Sequence, residues 1–222
     1  MAGIMRYDGS KWVENNTIHR YNATKKAWEK AEVYRYNGSS WVKISEERKV
    51  KTFECTWSQS YSGRGEQKPL YLDSQGVAHQ GRYGAPYTQD WDWGIQKSMI
   101  GFDDASIRRE LSGAKIEKVE IYLRNKHFWY YGGGYATLGY HNVSNRPAKF
   151  SSTKNQVLKE YYTGRGAGKW LEMPLEFGTL LRDNKAKGFT LYAPTEILDY
   201  YGYFYGASGG TSKPKIRITY VN

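Results

Sequence analysis

Three short segments combine aromatic rings with polar side chains at spacings that suit carbohydrate binding. In residues 90–94 two carboxylates alternate with two indoles, so the indoles share one side of an extended segment and the carboxylates the other. Sugar rings pack on aromatic faces, while carboxylate, amide and guanidinium groups bind sugar hydroxyls. The predicted glycan- or partner-binding residues of the three segments are Asp90, Trp91, Asp92, Trp93, His127, Trp129, Tyr130, Tyr131, Tyr201, Tyr203 and Tyr205.

The other two segments lie near the middle and the end of the chain. Residues 127–131 run from His through Phe and Trp to two Tyr and then into three glycines, which is typical of a flexible turn. Residues 199–206 place Tyr201, Tyr203 and Tyr205 on one face of an extended segment. The same rings would also suit the core and the subunit contacts of a Gly-rich β protein. Residue types alone leave both interpretations open.

Other catalytic and metal-binding patterns are weaker. Four aspartates have the oxygen ligands that Ca²⁺ prefers but not an EF-hand spacing, and two of them fit a helix cap better. Three histidines could meet at zinc only through long-range folding. We expect no metal and no cofactor. Two well-placed carboxylates suffice for a glycosidase, so that chemistry stays open. The four aspartates considered for Ca²⁺ are Asp90, Asp92, Asp103 and Asp104, and the three histidines considered for zinc are His79, His127 and His141.

A pattern of Tyr, a polar turn and Trp occurs three times in the first 42 residues. Residues 6–13 read Arg-Tyr-Asp-Gly-Ser-Lys-Trp-Val, and residues 20–28 and 35–42 repeat the pattern. Asp-Gly and Asn-Gly favour two-residue hairpin turns. A hairpin this small cannot bury its own aromatic pair, so neighbouring copies must pack together or on another chain. The predicted assembly residues are Tyr7, Trp12, Tyr21, Trp28, Tyr36 and Trp41.

The amino-acid composition and net charge limit the classes of partner that we expect the protein to bind. The 222-residue chain has a formal net charge of +11, and its 33 Lys and Arg include no run of five or more. A nucleic-acid site usually shows clustered charge, so we expect no nucleic-acid partner and favour acidic ones, such as anionic cell-wall polymers or an acidic neighbouring subunit.

No apolar run is long enough for a membrane span and no signal peptide is evident, so we expect synthesis in the cytoplasm and no membrane partner. Cys55 is the single cysteine, and its place between Phe53 and Trp57 predicts a buried thiol on a strand face shared by all three.

Period-2 alternation of apolar residues dominates the rest of the chain and predicts an all-β protein. We expect β-hairpin repeats over residues 1–46, followed by an antiparallel jelly-roll β-sandwich over residues 50–222. Two short helices are predicted, at 104–111 and 176–182, and a long functional loop at 63–94. The predicted strands are 50–57, 95–102, 116–124, 135–142, 169–173, 188–193, 200–205 and 215–221.

The Tyr-Asp-Gly-x-x-Trp-Val repeats resemble the short β-repeats of bacteriophage tail and minor virion proteins. The segment from Ser98 to Asn142 and the closing Pro214–Tyr220 resemble a jelly-roll module of phage tail proteins and of secreted carbohydrate-binding proteins. The resemblance implies a non-enzymatic virion protein, either a minor tail or a capsid-decorating subunit, that mediates attachment. It also implies other virion proteins as partners, a homo-oligomer such as a trimer, and contact with cell-surface polysaccharide. The alternatives are a polysaccharide-degrading glycoside hydrolase or lyase, and a secreted carbohydrate-binding module.

Overall fold

A computed structural model of the chain describes residues 5–7, 10, 12–14, 18–36, 38–43, 48–65, 69, 76–82, 93–129 and 132–221. The chain divides into two compact units, residues 1–49 with 221–222 and residues 50–220.

The described part of the first unit contains three separate two-stranded antiparallel hairpins. In each one the Tyr of the first strand lies directly opposite the Trp of the second, which confirms the predicted strand–turn–strand repeat. The strands are β1 (Met5–Tyr7) with β2 (Trp12–Glu14), β3 (Ile18–Asn22) with β4 (Ala27–Ala31), and β5 (Tyr34–Tyr36) with β6 (Trp41–Lys43).

The predicted Asp-Gly and Asn-Gly turns include residues 8, 9 and 37, which lie outside the described residues. The turn of the middle hairpin is described. In the middle hairpin, where the pair Asn22 and Ala27 bounds the turn, Oδ1 of Asn22 accepts the N–H of Lys25 at 3.1 Å. Lys26 closes the turn with a φ of 49°. This side-chain bond supports a four-residue turn at a place where the sequence reads Asn-Ala and not Asn-Gly.

The second unit contains two β-sheets. In one, five strands follow the spatial order β13-β12-β15-β10-β8, with every neighbour antiparallel. These strands are β8 (Trp57–Tyr61), β10 (Lys97–Gly101), β12 (Gly134–His141), β13 (Lys154–Tyr162) and β15 (Gly188–Leu191).

The other sheet follows the order β7-β17-β11-β16-β9, and a sixth strand, β14, pairs with β11. The pairs whose register is described are antiparallel. The strands are β7 (Arg48–Glu54), β9 (Val77–Gln80), β11 (Lys115–Phe128), β14 (Gly168–Glu172), β16 (Gly202–Tyr205) and β17 (Lys215–Val221).

The core lies between the inner faces of these sheets and contains alternate residues from each. Hydrogen bonds also join the sheets. The amide of Gln80 on β9 donates to the carbonyls of Tyr135 and Tyr200 and accepts from the N–H of Thr137, and the Tyr162 hydroxyl donates to the Leu123 carbonyl at 3.0 Å. Because Gln80 is fully buried, these three bonds satisfy an amide that would otherwise destabilise the core. The predicted all-β class, with hairpin repeats and an antiparallel sandwich, is confirmed.

Both predicted helices are present with nearly the predicted bounds. Helix α1 (Asp104–Glu110) is capped by Asp103, whose Oδ1 accepts the N–H of Ser106 at 3.0 Å, and α2 (Leu175–Arg182) follows Pro174. No helix in the described residues is long and apolar enough to cross a membrane.

The predicted strand over residues 50–57 is in fact two strands. β7 ends at Glu54 and β8 begins at Trp57 in the other sheet, so the predicted common face of Phe53, Cys55 and Trp57 is wrong. The thiol of Cys55 is nevertheless buried, with 4% of the residue exposed. The predicted long loop at 63–94 is interrupted by β9.

Candidate functional site

One irregularity in β11 determines what the outer surface of the six-stranded sheet displays. Asn125 pairs with Phe204, but the next paired residue is His127, opposite Tyr203, so β11 contains one extra residue at this point. A bulge of this kind restarts the alternation of side chains. It places Phe128 in the core and leaves both Lys126 and His127 on the outside of the sheet.

Three rings form a row across the outer surface, one from each of three neighbouring strands. The ring of Tyr203 on β16 lies 5.2 Å from the ring of His79 on β9 and 4.9 Å from that of His127 on β11. Tyr201 extends the row, with its ring 6.5 Å from His127. We call His79, Tyr203, His127 and Tyr201 the aromatic row. Its members are half-buried, so the strands fix the rings while part of each remains accessible.

His127 is held by a guanidinium. Nη2 of Arg165 lies 2.8 Å from Nδ1 of His127, and since arginine has no acceptor it must donate to that nitrogen. His127 is therefore neutral with its proton on Nε2. Partial burial, with a further contribution from the positive charge of Arg165, lowers the pKa of His127 below its ordinary value.

A second feature, beside the aromatic row, combines two cations with one ring. The guanidinium carbon of Arg124 lies 5.8 Å from the ring centre of Tyr205, and Nζ of Lys126 lies 5.7 Å from it. Nε of Arg124 donates to the Gly166 carbonyl at 3.0 Å and Nη1 to Oγ of Ser212 at 3.0 Å. We call Arg124, Lys126 and Tyr205 the cationic site.

The outer surface also contains a group of charges that neutralise one another. Arg217 lies 4.0 Å from the ring centre of Trp170, and its Nε donates to Glu120 at 2.8 Å. Lys118 bridges Glu120, at 2.9 Å, and Glu172, at 3.3 Å. The hydrogen bond from Arg217, followed by that from Lys118, lowers the pKa of Glu120. These groups therefore satisfy each other within the sheet.

The structure brings together five residues predicted from two separate segments. Trp129 joins the row through its backbone, because its N–H donates to the Tyr201 carbonyl at 3.2 Å. The described contacts of Trp93 lie elsewhere, at the turn after β8, where its carbonyl accepts from Gly63 and Ser62. The residues brought together are His127, Trp129, Tyr201, Tyr203 and Tyr205, and those that lie outside the described residues are Asp90, Trp91, Asp92, Tyr130 and Tyr131.

Sequence reasoning missed the cations of this surface. Arg124 and Lys126 were not predicted, although a signal existed. Leu123 and Phe128 are both apolar but five positions apart, an odd spacing that strict alternation cannot place on one face. An extra residue between them was therefore predictable, and with it two adjacent outward side chains.

The residues considered for metal binding do not converge where they are described. Asp103 caps α1, and Asp104 pairs with Lys187 at 3.6 Å. His79 and His127 both pack on Tyr203, whereas His141 is fully buried with its Nε2 3.0 Å from the Ile100 carbonyl. Among the described residues, no three His, Cys, Asp or Glu side chains form a group that could hold a metal ion.

The N-terminal hairpins expose their aromatic pairs. The rings of Tyr21 and Trp28 lie 5.5 Å apart, and those of Tyr36 and Trp41 5.4 Å apart. Trp28 is 71% exposed and Trp41 68%. Each pair packs across its own hairpin, yet most of each indole stays uncovered. The side chains of the corresponding Tyr7 and Trp12 lie outside the described part.

The site belongs to a β-sandwich protein, but the comparisons with known proteins do not give it a family. No protein-family model matches the chain, and no curated protein matches it. Among solved structures, the chain is similar to the K1 cleaved adhesin domain of Lys-gingipain from Porphyromonas gingivalis W83, with 10% sequence identity and a TM-score of 0.31. The match covers 79% of this chain and 98% of that domain. A likeness at this TM-score supports no argument about function.

Proposed function

We propose that the protein is a non-enzymatic attachment subunit of a bacteriophage particle, made in the host cytoplasm and assembled into the virion. In this proposal the outer surface of the six-stranded sheet contacts host-surface carbohydrate, and the N-terminal hairpins join the subunit to other virion proteins or to further copies of itself. The observation that carries the proposal is the aromatic row, which presents half-exposed rings from three adjacent strands. The phage setting rests on the resemblance of the repeats.

The aromatic row suits a sugar chain for two physical reasons. Three of its four rings, those of His79, Tyr203 and His127, come from paired strands, so a ligand would not have to order a loop in order to stack on them. Polar groups also lie at the rings, namely the imidazole of His127 and the guanidinium of Arg165 that donates to it. Stacking together with hydrogen bonds to hydroxyls is the combination that carbohydrate recognition requires. One such site would bind weakly, and repetition in an assembly would raise the overall affinity.

The hairpins suit assembly. Monomeric proteins rarely leave several large aromatic side chains uncovered within a short segment, and such patches usually mark interfaces. Tyr21 and Tyr36 are each 53% exposed, beside the still more exposed Trp28 and Trp41. We propose a homo-oligomer, with a trimer as the working model.

Catalysis is not part of the proposal, and a polysaccharide hydrolase or lyase remains the alternative. The carboxylates of the outer surface favour binding over hydrolysis. Glu120 is held ionised by Arg217 and Lys118, so it does not have the raised pKa that a general acid needs.

Immobilised bacterial capsular and cell-wall polysaccharides, probed with the full chain, test the binding role. We expect Tyr203→Ala to reduce binding by about tenfold, since the apolar contact of one aromatic ring is worth about 1.5 kcal/mol or more. Tyr161→Ala removes a 45% exposed ring from the five-stranded sheet and should leave binding unchanged. Absence of binding to every polysaccharide would overturn the carbohydrate role. Release of new reducing ends, abolished by a single Asp or Glu substitution, would establish the enzyme instead.

Light scattering of the full chain tests the assembly role. The double variant Trp28→Ser and Trp41→Ser should lower the oligomeric state, because it removes the two most exposed indoles described in the hairpins. Ile197→Ser removes an apolar side chain that is 59% exposed in the second unit and serves as the matched control. An unchanged mass for the double variant would exclude these indoles from assembly.

A further inference from the structure

Charge is distributed unevenly over the outer surface of the six-stranded sheet. Three carboxylates of this sheet already have cationic partners, so that part of the surface is electrostatically satisfied. The pairs are Glu120 with Lys118 and Arg217, Glu172 with Lys118, and Glu54 with Lys213 and Lys215. Within the described residues, by contrast, no carboxylate forms an ion pair with Arg124 or Lys126 of the cationic site.

Arg124 is fixed in place by neutral groups. A carbonyl and a hydroxyl accept two of its five N–H donors, which holds the guanidinium without neutralising its charge. The residue opposite Arg124 on β14 is Gly168, so the directly paired position has no side chain to cover the guanidinium. A side chain there would also be crowded, because a Cβ on Gly168 would lie 2.5 Å from the Tyr122 hydroxyl. A charged fork with free donors, already ordered, suits a planar or tetrahedral anion.

Lys126 supplies a second charge next to the first. It is the extra residue of the β11 bulge and is exposed, and its Nζ lies beside the same Tyr205 ring as Arg124. The aromatic row lies on the next residues of the same strands, since Tyr203 shares β16 with Tyr205 and His127 follows Lys126. An anionic group at the cationic site would therefore be positioned beside a ring stacked on the row.

We infer that the carbohydrate bound by this surface is acidic, with a sugar ring on Tyr203 and His127 and an anionic substituent at the cationic site. The inference rests on the proposed function and specifies its ligand. The anion is a carboxylate of a uronic acid or a phosphodiester of the polymer backbone, because the same donors bind both. The net charge of +11 draws such polymers toward the protein, and the cationic site selects among them.

Matched ligands separate charge from sugar. Polygalacturonate, alginate and hyaluronate are each immobilised beside their carboxyl-reduced forms, and poly(glycerol phosphate) represents the phosphodiester source. We expect the full chain to bind at least one acidic polymer at least about tenfold more tightly than its neutral form or, for the phosphodiester, than the neutral polymers. Binding should weaken as NaCl rises from 50 to 300 mM, because salt screens exposed charges.

Matched variants test whether Arg124 and Lys126 cause the preference for acidic polymers. Lys126→Gln changes an exposed side chain and should reduce affinity for the acidic polymer about three- to fivefold. Arg124→Gln should reduce it about tenfold or more, and Arg124→Lys should restore only part because the fork is lost. Neither Gln variant should alter binding to the neutral forms. Arg108→Gln combined with Lys185→Gln removes two exposed cations near α1 and α2 and controls for net charge.

The outcomes distinguish this inference from the proposed function. Equal affinity for the acidic and neutral forms overturns the inference while leaving carbohydrate binding intact, and so does an equal loss in the Arg108 and Lys185 control. Binding to none of the polymers, including the wider panel of bacterial polysaccharides, overturns both. Single-stranded DNA that binds as tightly as the acidic polymer and competes with it would mean general polyanion binding, and it would overturn the inference.

Discussion

The guanidinium of Arg217 packs 4.0 Å from the centre of the Trp170 ring while its Nε donates to the carboxylate of Glu120. Arg217 belongs to β17, Glu120 to β11 and Trp170 to β14, so one side chain links three strands of the sheet. This link depends on Glu120 being ionised. The hydrogen bond from Arg217 in turn lowers the pKa of Glu120.

Glu120→Gln should lower the free energy of unfolding at pH 7 by about 1–2 kcal/mol, because two charge-assisted hydrogen bonds are weakened. A carboxylate whose pKa is lower in the folded state stabilises the protein above its unfolded pKa of about 4.3, and this contribution is lost as the pH falls through the folded value. The difference between wild type and variant should therefore shrink as the pH falls below about 5 in urea denaturation. Glu172→Gln, at a side chain that is 68% exposed, should change little. A difference independent of pH would mean that packing, not charge, is responsible.

The buried side chain of His141 predicts a second loss of stability at low pH. Here the cause is protonation of a neutral group and not of a charged one. Its Nδ1 accepts from the N–H of Val143 at 3.2 Å, so Nε2 carries the proton and donates to the Ile100 carbonyl. Burial lowers the pKa of His141 to about 4. The neutral ring stabilises the fold above the unfolded pKa of about 6.5, and this stability is lost as the pH falls from there to about 4, by about 3 kcal/mol in total. His141→Gln keeps a donor and should remove this part of the pH dependence, measured by denaturation from pH 7 to pH 4. An unchanged slope in the variant would contradict the assignment.

An NMR titration of the His127 imidazole tests how much Arg165 contributes to the lowered pKa of His127. Arg165→Gln should raise the pKa of His127, because it removes a neighbouring positive charge and the donor that requires a neutral Nδ1. The pKa should remain below its ordinary value, since burial is the larger cause. Lys185→Gln, in the turn after α2, is the control. A fall in the His127 pKa would refute the described contact.

Gly101 is the residue on β10 that lies opposite Trp57, and a Cβ there would lie 2.1 Å from the indole. The ring cannot easily move away, because its Nε1 donates to the Ser144 carbonyl at 2.9 Å. Gly101→Ala should therefore cost about 3 kcal/mol of unfolding free energy in chemical denaturation. Gly132→Ala meets open space and should change stability by less than about 1 kcal/mol. Similar effects of the two substitutions would contradict the described packing at Trp57.

Strands that bury one face could be predicted from their alternating apolar residues. Strands without such alternation could not. β12, β15 and β17 alternate in sequence and occur within two residues of their predicted bounds. β11 begins within one residue of its predicted start but runs four residues beyond its predicted end. β13 is an edge strand with mostly polar, exposed residues, so no alternation revealed it. β8 is buried throughout despite its Ser and Gln residues, whose polar groups bond within the protein.

The rings of the candidate site were predictable, and the spacing of Leu123 and Phe128 signalled the bulge that exposes Lys126, but the role of Arg124 was not predictable. Tyr203 and His127 stood out as members of aromatic segments, yet only the pairing of β11 with β16 brings them together. Arg124 has no unusual sequence context. Its role depends on the carbonyl of Gly166 and the hydroxyl of Ser212, which are distant in sequence and meet it only in the folded sheet.

The thiol of Cys55 offers a practical consequence of the way the chain passes from one sheet to the other. It is the single cysteine, it is 4% exposed, and burial raises its pKa to about 12. An alkylating reagent can modify it only when the crossing between β7 and β8 opens. The rate of thiol labelling in native buffer would thus report local opening of the sandwich without any engineered probe.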